Sequence, residues 1–218
     1  MKGLFIKDLK LLGNQKKLLF IAVVLFFFFM LTMDDPLFVV NYLSFFGTII
    51  ALGTLSYDEL NNGMTFMFTL PVSKRQYVLE KYLFCFLTGI SVWVVTVAIS
   101  SGYLMYKGML ESFGDYLLQS LTGPVLVAFI TSLMLPLQIK LGQEKARTGI
   151  FVIAGVAALI FVALKLFIAP TDEEMNAMLS GLSDVNFSTV MIGAVAVALI
   201  LLVFSYLLSV AFIKRKEY

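Results

Sequence analysis

The 218-residue chain contains no histidine and a single cysteine, and only 14% of its residues are charged. Each scarcity removes a class of chemistry. Without histidine there is no Ser-His-Asp hydrolase, no H-E-x-x-H zinc protease, no His-ligated haem and no His-based proton relay. A lone cysteine, Cys85, makes neither an internal disulfide nor a Cys-x-x-Cys site; within an apolar run it reads as a small buried thiol. Against the scarce charge stand 60% apolar and aromatic residues, where soluble chains hold about 45–50% apolar and about 25% charged residues. The mean hydropathy is +0.95. These values describe an integral membrane protein and exclude a disordered chain, a secreted disulfide scaffold and a soluble enzyme.

What is present is a series of long charge-free runs. They cover Leu18–Met33, Pro36–Tyr57, Tyr82–Tyr106, Tyr116–Ile139, Thr148–Leu164 and Val185–Ile213, with 16, 22, 25, 24, 17 and 29 residues. A hydrocarbon core about 30 Å thick needs about 20 helical residues. Four runs suffice outright. The first gains length if Lys16 and Lys17 snorkel, and the fifth if it continues past Lys165 to Ala169. The runs are apolar on every side, unlike the alternating strands of a barrel, and hydrocarbon admits only helices or closed barrels. An all-α integral membrane protein with six transmembrane helices follows, at approximately 16–33, 37–57, 82–106, 117–139, 148–169 and 187–213. The expectation is one transmembrane domain over residues 1–218.

The sixteen cations fix an orientation. Fourteen lie in Met1–Lys17, in the connections after the second and fourth spans, and in the tail; the opposite connections hold Lys107, with Lys165 near that face, and eight acids. The positive-inside rule then makes both termini cytoplasmic. Lysines before an apolar run imitate a signal peptide, but Met30–Pro36 has no small-residue cleavage site, so the first span is read as retained. Ahead of it, Leu4, Phe5, Leu9, Leu11 and Leu12 fall roughly on one helical face, which Asp8 interrupts. The pattern fits an interfacial amphipathic helix, with a solvated, charge-flanked start as the other reading.

The spans offer little polar chemistry. Lys165 is the one charge inside a run, and no acid, Asn ring or filter loop lies at membrane depth, as a proton pump or ion channel requires. No internal repeat or pair of broken spans marks a secondary transporter. An intramembrane protease is excluded by the missing histidine and intramembrane acids. The outer loop at Thr171–Asp184 could hold a cation or a cationic substrate, but simple solvation explains its acids better. Pro124 and Pro136 cap or kink the fourth span. A lining of this kind suits amphipathic or lipid-like cargo better than a hydrophilic ion.

The informative stretch is Asp58–Lys81. Its Leu60–Ser73 portion is charge-free but only 14 residues long, with two Asn, a Gly and a Pro, so it is too short to span and reads as re-entrant or interfacial. Pro71 stops it. Ser73 with Gln76 forms a capping box that starts a new helix running into the third span. Lys74 and Arg75 oppose that helix's dipole, a choice explained by an anionic lipid, by a protein partner, or by topology alone.

In these residues the chain resembles the membrane subunits of type-2 ABC exporters, the short bacterial permeases in particular. Glu59 and Gly63, then Leu70-Pro71-Val72-Ser73-Lys74-Arg75, then Tyr77 and Lys81 are similar to that family's run after the second span. Gly142-Gln-Glu144-Lys145-Ala-Arg147 is similar to its loop after the fourth, and Lys7-Asp8-Leu9 to its start. The resemblance implies a cytoplasmic coupling helix between spans two and three, set into an ABC ATP-binding subunit through Glu59, Gly63, Leu70, Pro71, Ser73, Lys74, Arg75, Tyr77 and Lys81. Gly142, Glu144, Lys145 and Arg147 form a second cytoplasmic contact. It implies a second permease copy or a sister permease, homo- or heterodimeric, in a bacterial cell membrane, with lipid around it and no nucleic-acid partner. The chain has no G-x-x-x-x-G-K-[ST] motif, so it is expected to be non-catalytic and to bind no cofactor, with ATP held by the partner. Export of an amphipathic or hydrophobic substrate, an antimicrobial or cytolytic peptide, is the expected function. An ATP-independent immunity or assembly protein, or a channel, is the alternative.

Overall fold

A computed structural model describes residues 2–33, 35–59, 63–69, 72–110, 112–142, 145–146, 148–149, 152, 155, 159 and 187–215. These residues are almost entirely helical, with no strand among them. The elements are α1 (Lys2–Asn14), α2 (Lys16–Thr32), α3 (Pro36–Leu52), α4 (Thr54–Glu59), α5 (Gly63–Thr69), α6 (Lys74–Lys107), α7 (Phe113–Ser120), α8 (Thr122–Leu141) and α9 (Phe187–Arg215).

Local sequence accounts for the boundaries. Asp35 caps α3 by accepting a hydrogen bond from the Leu37 amide at 2.9 Å, and Pro36 takes the first helical position, where its missing N–H costs nothing. Ser73 and Gln76 form the expected capping box, with both reciprocal bonds at 3.2 Å. Gly108 ends α6 in the left-handed region, φ 66°. Hydroxyls inside the helices, such as those of Ser44, Thr48 and Thr131, donate to carbonyls one turn back, which hides them from hydrocarbon.

Four helical segments are long and apolar enough to cross a membrane: Pro36–Glu59, Lys74–Lys107, Phe113–Leu141 and Phe187–Arg215. The pair Lys2–Asn14 and Lys16–Thr32, bent by 66° at Gln15, makes a fifth if counted as one. Among the described residues the count is therefore four or five rather than the expected six. By itself α2 has 17 residues, and most of the expected 148–169 span lies outside the described residues. The apolar exterior fits hydrocarbon: Phe20, Leu31, Ile192 and Ile200 are each more than two-thirds exposed.

The main core is where α1, α4, α5, α6, α8 and α9 meet; Leu4, Leu55, Met64, Phe84, Leu135 and Ile213 are buried there, and Cys85 is a buried free thiol. The Phe5 and Phe84 rings meet edge to face at 5.3 Å, seating α1 on α6. Tyr82 bonds Ser205 at 2.5 Å and Ser209 at 2.8 Å, and Ser205 donates to the Ser132 carbonyl at 2.5 Å, tying α6, α9 and α8 together. Toward the other end, the Trp93 indole donates to the Ser120 carbonyl at 2.8 Å and Ser100 bonds Tyr116 at 2.6 Å.

Candidate functional site

Three one-sided helical stripes converge just before the charge-free part of α6. Leu4 and Asp8, four residues apart, are the buried positions of α1. After the break at Gly53, α4 buries Thr54, Leu55 and Asp58. The first turns of α6 bury Tyr77, Val78, Glu80 and Lys81. Each stripe brings one to three polar side chains into an otherwise apolar contact, and the result is an ion cluster.

Its geometry is close. The Lys81 ammonium lies 2.7 Å from Asp58 Oδ2 and bonds Asp8 Oδ2, and it is 3.4 Å from Thr54 Oγ1. Lys7 Nζ donates to Asp58 Oδ1 at 2.5 Å and lies 3.2 Å from Asp8 Oδ1. The Tyr77 hydroxyl donates to Asp58 Oδ2 at 3.1 Å. The side chains of Lys81 and Asp8 are 0% exposed and that of Asp58 4%, whereas Lys7 keeps 33% and forms the solvent edge. One buried ammonium and one at the solvent edge thus face two buried carboxylates. Such a group holds only if complete, because a single partner left unpaired in low dielectric costs several kcal/mol. Beside it, Glu80 is 2% exposed and neither carboxylate oxygen accepts a hydrogen bond.

The structure gives the residues expected from sequence different places. Tyr77 and Lys81 are interior members of the ion cluster, not surface groups. Ser73 is the exposed N-cap of α6, Lys74 is half-buried at its first position, and Arg75 is exposed. Glu59 ends α4, and its carboxylate lies against Gly142, where a Cβ would sit 3.4 Å from Oε2. The two expected contact regions therefore touch each other at Glu59 and Gly142. Gly142 holds φ 79°, a left-handed value that side chains rarely adopt. Gly63 packs on the Asp58 carbonyl, which a Cβ would approach to 2.8 Å. Lys145 is exposed. Leu70, Pro71, Glu144 and Arg147 lie outside the described residues.

Sequence reasoning missed Asp8, Asp58 and Thr54 as partners of Lys81. Asp8 is not a blemish on the apolar face of α1 but a buried ion-pair partner. The signal was its isolation: it is the one acid in the first 17 residues, placed on the side that packs.

Long apolar helices around a buried polar hub at the basic end of the bundle define a multi-pass membrane protein. Residues 3–214 match the family described as ABC-2 family transporter protein, and the chain belongs to that family. No curated protein and no solved structure shows significant similarity to it. Membership makes it the membrane subunit of an ABC transporter, a non-catalytic component whose family implies an ABC ATPase as partner.

Proposed function

We propose that the chain is the permease half of an exporter for amphipathic or hydrophobic molecules, peptides of antimicrobial or cytolytic type in particular. It is driven by a separate ATPase that binds the nucleotide and docks at the cytoplasmic face. The observation that carries the coupling role is the placement of Ser73, Lys74 and Arg75 at the start of a 34-residue helix whose next turns are held by the Tyr77 hydrogen bond and the buried Lys81 ion pairs. The eight residues 74–81 add about 12 Å of helix before the charge-free run. A push on that projecting end is carried along α6 into the membrane, because the Lys81 cluster anchors it to α1 and α4.

The roles then divide. Lys74, Arg75, Glu59 and Lys145 make the contact, to which the family likeness adds Glu144 and Arg147. Ser73, Gly63 and Gly142 shape the backbone, and the likeness adds Leu70 and Pro71 to that stretch. Tyr77 and Lys81 transmit the displacement. Two permeases, identical or sister copies, enclose the transport path, with both termini in the cytoplasm of a bacterial cell. A groove of about 380 Å³ between α2, α3 and α6, lined by Val23, Phe26, Phe27, Leu43, Val95 and Ile99, supports an apolar cargo.

The test is charge reversal, Lys74→Glu with Arg75→Glu, in the assembled complex. ATPase stimulation and peptide export are expected to fall together, at least tenfold, with the chain still membrane-inserted. Full retention of both would remove this stretch from coupling.

A further inference from the structure

A second cavity lies at the basic end, between the start of α6 and the last three turns of α9. It has a volume of about 560 Å³ and is lined by Arg75, Tyr206, Leu207, Val210, Ala211, Lys214 and Arg215. Its walls are of two kinds. One side is apolar membrane-helix surface, with Leu207 and Ala211 exposed and Val210 nearly buried. The rim holds three exposed cations, none in an ion pair with a carboxylate of the described residues. The wall is also fixed in place: the Tyr206 ring meets Tyr82 edge to face at 5.8 Å, and Tyr82 is bonded to Ser205 and Ser209.

Three like charges around one cavity repel one another. Lys214 and Arg215 at the end of α9 are favoured by that helix's dipole, but Arg75 in the first turn of α6 is opposed by its own. An anion between them relieves both terms. An arginine fork grips phosphate oxygens in pairs, and lysine adds a point charge. The apolar wall directly beside the cations is what an acyl chain needs and what a free phosphate or a water-exposed acidic protein surface does not use. Basic pockets between membrane helices take anionic headgroups in this way.

We infer that the Arg75–Lys214–Arg215 cavity binds an anionic glycerophospholipid, its phosphate among the three cations and an acyl chain along Leu207, Val210 and Ala211. The site stands independently of the transport reading. Of the residues assigned to coupling only Arg75 belongs to it, so a lipid seated there buttresses the projecting start of α6 against α9.

The experiment is native mass spectrometry of the full chain in detergent, titrated with phosphatidylglycerol, with phosphatidylcholine as the zwitterionic control. The wild type is expected to retain phosphatidylglycerol selectively. The triple change Arg75→Gln, Lys214→Gln, Arg215→Gln should weaken that binding roughly a hundredfold, about fivefold per cation. Ala211→Phe fills the cavity without altering charge and should also abolish retention, which covers failure of the triple variant to fold. Lys10→Gln with Lys17→Gln removes two exposed cations elsewhere and should leave retention unchanged.

Equal binding by the wild type and a folded triple variant overturns the proposal, as does equal loss in the Lys10/Lys17 control. Displacement of the lipid by inorganic phosphate alone, at concentrations matching the lipid, assigns the site to a free anion and overturns it too. Lost ATPase co-purification with undiminished lipid retention assigns the cations to the protein partner instead.

Discussion

At the scale of single residues, Lys81 decides the most. It is fully buried and bonded to acids that are 73 and 23 positions away in the chain. Removing Asp8 alone (Asp8→Asn) or Lys81 alone (Lys81→Met) leaves the cluster unbalanced by one charge, and each is expected to cost about 3–5 kcal/mol. The double variant retains the Lys7–Asp58 pair with equal charge and should recover a substantial part of that loss. Unfolding of the full chain in mixed detergent measures all three, and strict additivity would show that the two charges do not act as a pair. Tyr77→Phe removes one hydroxyl donor from Asp58 without changing charge, so a smaller loss of about 1–2 kcal/mol is expected in the same assay. Periodicity could show that Asp8 and Lys81 each sit on a packed side of a helix. It could not show that they meet, because pairing across such separations is set by how α1 folds back after the Gln15 bend. Motif reading had placed Lys81 and Tyr77 among the contact residues for the same reason: a cation beside a recognised motif looks like a surface group until its partner is seen.

Among elements, α6 and the turn after α8 were the most legible and the most informative. The Ser73–Gln76 box is a local signal and lies where the sequence predicts, and the left-handed glycine at the far end of α6 follows from an equally local rule. Helix α5 was half legible: two Asn, a Gly and a Pro made 60–73 too broken to span, yet its seven helical residues bury Met64 and Met67 in the main core. Gly142 was read as a motif residue; its positive φ and its closeness to Glu59 give it a physical task, turning the chain so that α8 ends against α4. Gly142→Ala meets backbone strain at the positive φ, and it is expected to destabilise the folded chain by about 1–3 kcal/mol, read as a lower midpoint of thermal unfolding in detergent. A midpoint at or above that of the wild type would show that the turn tolerates a side chain.

In the molecule as a whole, hydropathy established class and helicity, because apolar length and backbone satisfaction in hydrocarbon leave few choices. Of the six expected spans the described residues display four or five, because the 17-residue apolar run of α2 meets the length rule only together with the bent helix before it and most of 148–169 lies outside them. The packing itself depends on small residues that composition does not reveal. At Gly89 of α6 a Cβ would stand 2.6 Å from Thr48 Oγ1 of α3 and 2.6 Å from Val127 Cγ1 of α8, so the three helices cross where one side chain is missing. Gly89→Val should separate them and lower both folded yield and thermal midpoint, while the same change at Gly193, which faces open space, should be tolerated. The ion cluster also imposes an order on biosynthesis. At about 5–20 residues per second, the 73 residues from Asp8 to Lys81 take roughly 4–15 s to synthesise. For that interval α1 has no ion-pair partner from α6 and must wait at the membrane surface. The helix made first is thus seated only after the segment carrying Lys81 has been made.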